Sequence, residues 1–460
     1  MLAAVLCLLL LGIVVIVAVA TSGSSKDSGG DDTTDDAAED YYQPGGSQGG
    51  SDVLPAETTI VPTTTTTTST STTTTTTTTT TEKPQLRSKP SLCTVTLPVP
   101  TRARFPSLAL CDLIFFTHVV FDDATTKIRA STKQFEPTSS SFEVFKDFAN
   151  SAKQIPRSSQ FGISVDAGFL GAFKSKLEST LGANEFNHLI DNNIKHFGVL
   201  SVFGGSETTT RDLLQKFRSM CDQHDPNPGV NHKSLIVIGI TARRGANQFK
   251  RWMEHVKNFP YDIILIHTHV SYWDTTSFTG TAGASIWDSS SFQHCSMKAV
   301  ISDLQSTSFD LSRNPVYMLT LGLAVQMFRL PSDWPSGSTT TGSSKKATSM
   351  TVADYTGACS TDLATPVMST QEKYMVSYNN MKSYQVIYDD KQTLLIKLRE
   401  VKKAVADISG LPRQGWAIFD VDRDSFDWNC PNNNDKVRDR LQTVIEFLKA
   451  EGADVLPPHH

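Results

Sequence analysis

No charged side chain interrupts the first twenty residues, MLAAVLCLLLLGIVVIVAVA. No basic residue precedes the apolar run either, where a secretory signal would carry one. The chain has no Asn-x-Ser/Thr sequon and no Cys-x-x-Cys pair. The first absence removes the usual N-glycan acceptor, and the second removes the common zinc and dithiol redox spacings. No basic stripe or recognition motif is present, which argues against a nucleic-acid surface. No cofactor and no metal site is implied.

What is present divides the chain into three. An apolar helix needs roughly 20 residues to cross the hydrocarbon core of a bilayer. Residues 1–20 meet that length, so they read as a transmembrane signal anchor. Ala18-Val19-Ala20 is a small-x-small sequence of the kind a signal peptidase accepts, so a cleaved signal peptide and a secreted protein are the alternative. Residues 21–60 hold nine acidic side chains and one basic one, Lys26. Basic flanks stay cytoplasmic, so this acidic flank belongs outside. The expectation is a single-pass type II membrane protein with an extracellular domain.

From Thr63 to Thr81 every residue is threonine except Ser69 and Ser71, with Pro62 and Pro84 near the ends. Such a run has no apolar face from which to build a core. Residues 21–88 therefore read as a disordered, acidic, Thr-rich, mucin-like stalk, with O-glycosylation expected on its hydroxyls. The net charge of −5 comes from this region; without residues 21–60 the chain has 41 basic and 38 acidic side chains.

Residues 89–455 read as one globular domain. Strand-length apolar runs begin at Leu113 (LIFFTHVVF), Phe161 (FGISV), Phe197 (FGVLSVF), Leu235 (LIVIGIT), Asp262 (DIILIHTHV), Val316 (VYMLTLGLAV) and Trp416 (WAIFDV). A weaker one begins at Cys93 (CTVTLPV). Helical patterns such as FEVFKDFANSAKQI, NEFNHLIDNNIKHF, TRDLLQKFRSMCDQH and LLIKLREVKKAVADI alternate with them. Continuous apolar strands alternating with helices mean a parallel sheet buried on both faces. Eight such units predict a (β/α)8 TIM barrel. An open doubly wound sheet is the runner-up, but no Gly-rich phosphate turn follows the first strand. The long interval after the seventh strand, about residues 331–390, is too much for a barrel loop and predicts a small α+β insertion between strands 7 and 8. Six cysteines, Cys93, Cys111, Cys221, Cys295, Cys359 and Cys430, fall in this domain. An even number in an exported domain predicts three disulfides, with fifteen pairings open.

Several of these segments resemble glycoside hydrolase family 18, the chitinases and chitinase-like lectins, and most of all a divergent arthropod branch of it. YDDKQTLLIKLREVKK, from Tyr388, is similar to that family's YDD-x-x-S-x-x-x-K segment, with Thr393 for the serine and Lys397 for the lysine. WAIFDVDRDSFDWNC, from Trp416, is similar to its last barrel strand. Cys111 before LIFF, YDIILIHTHV and LTLGLAV match in order and spacing. The resemblance covers nearly all of residues 90–440. It implies disulfides Cys93–Cys111 and Cys359–Cys430, leaving Cys221 with Cys295. It also implies that the insertion walls a groove for chitin-like or other glycans.

The same resemblance locates what is missing. Family 18 hydrolases use a D-x-x-D-x-D-x-E strand whose last residue protonates the glycosidic oxygen. Here that strand reads HFGVLSVFGGSE, which puts Phe197, Leu200, Val202 and Gly204 at the four acidic positions. The expectation is no catalytic residue and no glycosidase activity, because a general acid contributes typically about 10²–10⁴-fold. The family's acetamide-holding Tyr and Asp correspond to His269 and Val270, and its groove-floor Trp to Phe419. Candidate carbohydrate contacts are Phe419, His267, His269 and Trp273, with Trp287 and Trp334 also in or near loops on the ligand face. Three functions follow: a non-catalytic glycan-binding protein, a protein-interaction or display domain without sugar binding, or a hydrolase using a displaced acid such as Asp166 or Glu207.

Overall fold

The structure is a computed structural model. It describes residues 89–131, 140–155, 159–202, 207–224, 234–241, 248–257, 259–269, 287–288, 296–305, 315–330, 332, 348–371, 373–379, 383–406, 408, 414–424 and 439–453. The expected anchor and stalk, and also Gly204, Trp273, Cys295, Trp334 and Cys430, lie outside these residues. Among the described residues no helix is long and apolar enough to cross a membrane.

Eight parallel strands form a closed barrel. In chain order they are β1 (Ser91–Val95), β2 (Leu113–Phe121), β4 (Gln160–Val165), β5 (Ile194–Val202), β6 (Ile236–Thr241), β7 (Ile263–His267), β8 (Val316–Gly322) and β14 (Gln414–Phe419). Pairing of β1 with both β14 and β2 closes the ring. A short strand, β3 (Ile128–Ala130), runs antiparallel on β2. The helices are α1 (Ser141–Ser151), α2 (Leu170–Leu177), α3 (Thr180–Asp191), α4 (Glu207–His224), α5 (Gln248–Lys257), α6 (Met297–Gln305), α7 (Lys391–Ala406) and α8 (Asp439–Ala453). The expected (β/α)8 TIM barrel is therefore what the chain forms.

The two-residue period of a strand sorts the apolar side chains into two layers. On β14, Ala417 and Phe419 face the barrel interior while Trp416 and Ile418 face the helices. Leu92, Phe115, Leu200, Val237, Leu265 and Met318 fill the interior from the other strands. The sandwiched layer between barrel and helices is rich in phenylalanine. There Phe197 on β5 packs against Phe186 of α3 and Phe217 of α4, with ring centroids 4.4 and 5.2 Å away.

Two expected boundaries move. The pattern NEFNHLIDNNIKHF is not one helix: α3 stops at Asp191, and Ile194 onward is β5. Asn193, at φ 68°, reverses the chain there; asparagine tolerates this left-handed region better than most residues. Likewise VYMLTLGLAV is not one strand. It ends as β8 at Gly322, and Val325 already begins a second sheet, before the expected insertion boundary near 331. The Leu323 N–H bonds to the carbonyl of Phe419 and turns the chain out of the barrel.

The insertion is a five-stranded antiparallel sheet in the order β10 (Ser349–Ala353), β9 (Val325–Arg329), β13 (Tyr384–Tyr388), β12 (Met375–Tyr378) and β11 (Val367–Met368). A buried ionic cluster joins it to the barrel. Lys397 on α7 pairs with Asp389, just past β13, and both side chains are fully enclosed. Arg440 on α8 pairs with Asp424 at 2.7 Å, bonds the Asp389 carbonyl at 2.9 Å and lies 4.0 Å over the Tyr355 ring.

Cys93 and Cys111 form a disulfide. Cys359 is also disulfide-bonded, to a partner outside the described residues. The expected third bridge is not made: Cys221 is a free, buried thiol on α4. Its side chain lies in the apolar layer between helix and barrel, and burial pushes its pKa up to about 11.

Candidate functional site

In a TIM barrel the strand C-termini carry the ligand face. Among the described residues, that end of the barrel brings together histidines, hydroxyls and the carboxyls of Asp166 after β4 and Asp420 and Asp422 after β14. Its centre is the peptide group of Leu200. Between Val199 and Val202 the β5–β6 register shifts, so that Leu200 and Ser201 stand opposite the single residue Gly239. This bulge drives the Leu200 backbone against β6, where a Cβ on Gly239 would lie 1.8 Å from the Leu200 oxygen. A bulge of this kind leaves backbone groups without ladder partners. Side chains from neighbouring strands supply them. Ser164 Oγ on β4 accepts the Leu200 N–H at 2.9 Å, and His267 on β7 donates its Nε2–H to the Leu200 carbonyl.

Two further histidines extend this belt. His118, at a register shift in β2, sets Nδ1 2.9 Å from Ser164 Oγ. His269 sets Nδ1 2.7 Å from Thr320 Oγ1, which also accepts the Thr268 N–H at 2.8 Å. Phe419 completes the floor, its ring 5.3 Å from His267 and 4.4 Å from His269. His267, His269 and Phe419 are only 1, 4 and 5 % exposed, and their rings pack on one another. Burial holds all three imidazoles neutral. His118 is lowered to about 4 against the pull of Asp166, and His267 to about 4 despite its bond to Leu200. His269 is lowered well below 6.5 by burial and by His267.

The positions expected to have lost their acids are thus placed. Phe197 faces the helices and Leu200 the interior. Val202 pairs through its backbone with Ile240, one step out of the simple alternation because of the bulge. The displaced acids are engaged elsewhere. Asp166 is fully buried, accepting from Ser131 Oγ at 2.5 Å and from the Gly168 N–H at 2.9 Å. Glu207 opens α4 and pairs with Arg251 on α5 at 2.8 Å, in the outer ring of helices. Of the aromatic candidates, Trp287 packs partly buried against the helix-facing core. Among the described residues no three His, Cys, Asp or Glu side chains are grouped to hold a metal.

Sequence reading paired His267 with His269 and named Phe419, and the structure brings these three together. It missed His118, Ser164 and Thr320. The available signal was a histidine inside the otherwise apolar LIFFTHVVF run, since a buried polar group must find a partner.

The chain matches no protein-family model and no curated protein. Solved structures do share its fold. A glycoside hydrolase family 18 chitinase from Cycas revoluta, in complex with (GlcNAc)3, superposes with a TM-score of 0.53 at 10% identity, over 78% of this chain and 99% of that one. YKL-39, solved in the presence of chitooligosaccharides, gives 0.57 at 15% identity over 78% and 99%. A chitinase-like agglutinin from Robinia pseudoacacia gives 0.53 at 14% identity over 77% and 98%. The neighbours thus include chitinases and chitinase-like proteins. At these identities the likeness is one of fold.

Proposed function

We propose that this protein is a catalytically inactive, chitinase-like glycan-binding protein held on the outer side of a membrane by residues 1–20 and the stalk of residues 21–88. The observation that carries the loss of catalysis is the β5 bulge. Where the family resemblance puts an acid-bearing strand, Leu200 faces inward and its peptide is clamped between Ser164 and His267. Asp166 and Glu207, the candidates for a displaced acid, are engaged, the first by Ser131 and the Gly168 N–H and the second by Arg251. Glycan binding is supported by the fold shared with proteins solved with chitooligosaccharides and with an agglutinin.

A specific observation favours a second reading, a display or protein-interaction domain without sugar binding. His267, His269 and Phe419 are buried and packed on one another. Bound sugar would have to rest above Phe419 and His269 rather than among them. Titrating the 89–455 fragment with chitin oligomers and a broad glycan panel separates the two readings: saturable binding supports the first, and flat titrations leave the second. Turnover of a chitin oligomer, lost in Glu207→Gln or Asp166→Asn, would overturn both. Placement outside the membrane rests on the apolar run and its acidic flank. N-terminal sequencing of the mature protein tests it, since a chain starting at Thr21 is secreted.

A further inference from the structure

Between the β2–β3 ribbon and α2 lies a cavity of about 170 Å³ that shares no lining residue with the floor around Phe419. For scale, a dry cavity of about 150 Å³ holds a benzene ring. One side of it is apolar. Phe121 ends β2, Phe169 closes the short turn Ala167–Phe169 after β4, and Ala172 and Phe173 come from α2. The Phe121 and Phe173 rings are buried, with centroids 4.5 Å apart. The other side carries two cations, Arg129 on β3 and Lys176 on α2.

Arg129 is fixed in orientation before any ligand arrives. Its Nε–H donates to Asp122 Oδ2 at 3.0 Å and its Nη1–H to the Ala130 carbonyl at 3.2 Å. Its Nη2 has no hydrogen-bond partner among the described residues. The β2–β3 turn does not need this arginine to close. Asp122 Oδ1 accepts the Ala124 N–H, the Thr125 N–H and the Thr125 hydroxyl at 3.1, 2.9 and 3.0 Å. The Thr125 N–H, foremost among these bonds, holds the Asp122 carboxyl below its usual range, so it stays ionised against the guanidinium. Lys176 is tied more loosely, 3.6 Å from Asp123, whose side chain is 94 % exposed. So well hydrated an anion competes weakly for the ammonium. Ser131, the hydroxyl in the wall, gives its proton to buried Asp166. The cavity therefore offers a ligand two cationic donors beside aromatic rings, with little for hydroxyl groups to bond.

We propose that this cavity binds a small monocarboxylate whose body is one apolar ring, with the carboxylate on Arg129 and Lys176 and the ring against Phe121, Phe169 and Phe173. Guanidinium–carboxylate hydrogen bonds are charge-assisted, and a donor already held in one orientation loses little freedom on making them. A sugar acid carries the same head group but is disfavoured, because enclosing its hydroxyls without partners costs free energy that the carboxylate contact does not offset. On the benzene scale a fused two-ring body is too large. The inference stands whether or not the protein binds glycans.

The probe is 4-fluorobenzoate, followed by fluorine NMR in the presence of the full chain. Its signal should broaden saturably and recover on addition of benzoate, but not of benzamide, glucuronate or 2-naphthoate. Arg129→Gln should weaken binding at least tenfold, the effect of losing one charge-assisted hydrogen bond. Ala172→Leu, at an exposed position on α2, fills the cavity and should abolish binding with Arg129 still in place. Absence of saturable binding overturns the proposal. So does displacement by benzamide, glucuronate or 2-naphthoate as strong as by benzoate, or binding unchanged in either variant. If Arg129→Gln does not fold, Ala172→Leu and the contrast between benzoate and benzamide decide.

Discussion

Lys397 and Asp389 have no solvent exposure at all, and Lys397 is kept from its usual basicity by that burial even though Asp389 pulls the other way. Breaking such a pair from one side leaves the buried Asp389 carboxylate without its counter-ion, which costs about 3–5 kcal/mol. Lys397→Met should lower the stability of the fold by that amount in a urea titration. The pair also explains why a lysine lies among apolar residues in LLIKLREVKK: its anion comes from eight positions earlier, on a different element. Cys221 makes a second single-residue case. Its thiol is free, so Cys221→Ala should lower the number of reactive thiols in the denatured, unreduced chain by one. Were it bridged to Cys295, the same substitution would raise that number by one.

At the scale of the element, the β5 bulge depends on Gly239. Alanine there would put a carbon 1.8 Å from a backbone oxygen that His267 also holds, so neither side can give way. Gly239→Ala should abolish soluble expression or cost more than about 3 kcal/mol, in the range of severe overpacking. Gly171, on α2, is the counterpart: a Cβ meets nothing within 4 Å. Gly171→Ala should raise stability by about 0.5–1 kcal/mol through helix propensity. Elements of this kind differ in legibility. The strand runs were readable because burial on both faces makes them continuously apolar. That same property hid the bulge: in FGVLSVF inside and outside look alike, so one extra residue leaves no mark. The break after α3 had a visible sign in Asn192-Asn193, and the early start of β9 had none, because LTLGLAV stays apolar across the turn. His267, His269 and Phe419 could be grouped from sequence because two share a strand and the third follows from the family resemblance. His118 and Ser164 could not, lying 46 positions apart and joined only by the barrel's closure.

For the whole molecule, the buried rings set a pH dependence whose sign can be worked out. An unfolded histidine takes its proton near 6.5, but folded His118 and His267 take theirs only near 4. As pH falls from 6.5 to 4 the unfolded chain gains protons that the folded one does not, and stability is lost across that window. Asp420 acts in the opposite sense. Raised to about 6, it favours the folded chain as pH falls from 6 toward 3.8. Asp422 is raised as well, so two carboxyls stand against the four lowered imidazoles of His118, His255, His267 and His269, and the net effect should be a melting temperature that falls from pH 6.5 to 4. A series of thermal melts checks this, and His267→Gln should reduce the slope.

The Cys93–Cys111 bridge has a consequence of a different kind. It joins β1 to the start of β2, the adjacent pair at which the barrel closes. A domain pulled from its N-terminal end receives that tension at Ser91, in the first residue of β1, and a strand held by backbone ladders alone would peel away there. With the covalent link two residues further on, the load passes directly from β1 to its neighbour, and the barrel must yield as a unit or not at all. In single-molecule pulling from the N-terminus, the oxidised protein should rupture at higher force than the reduced one. If the domain is held at a surface as proposed, its seam is sewn at the point where the load enters.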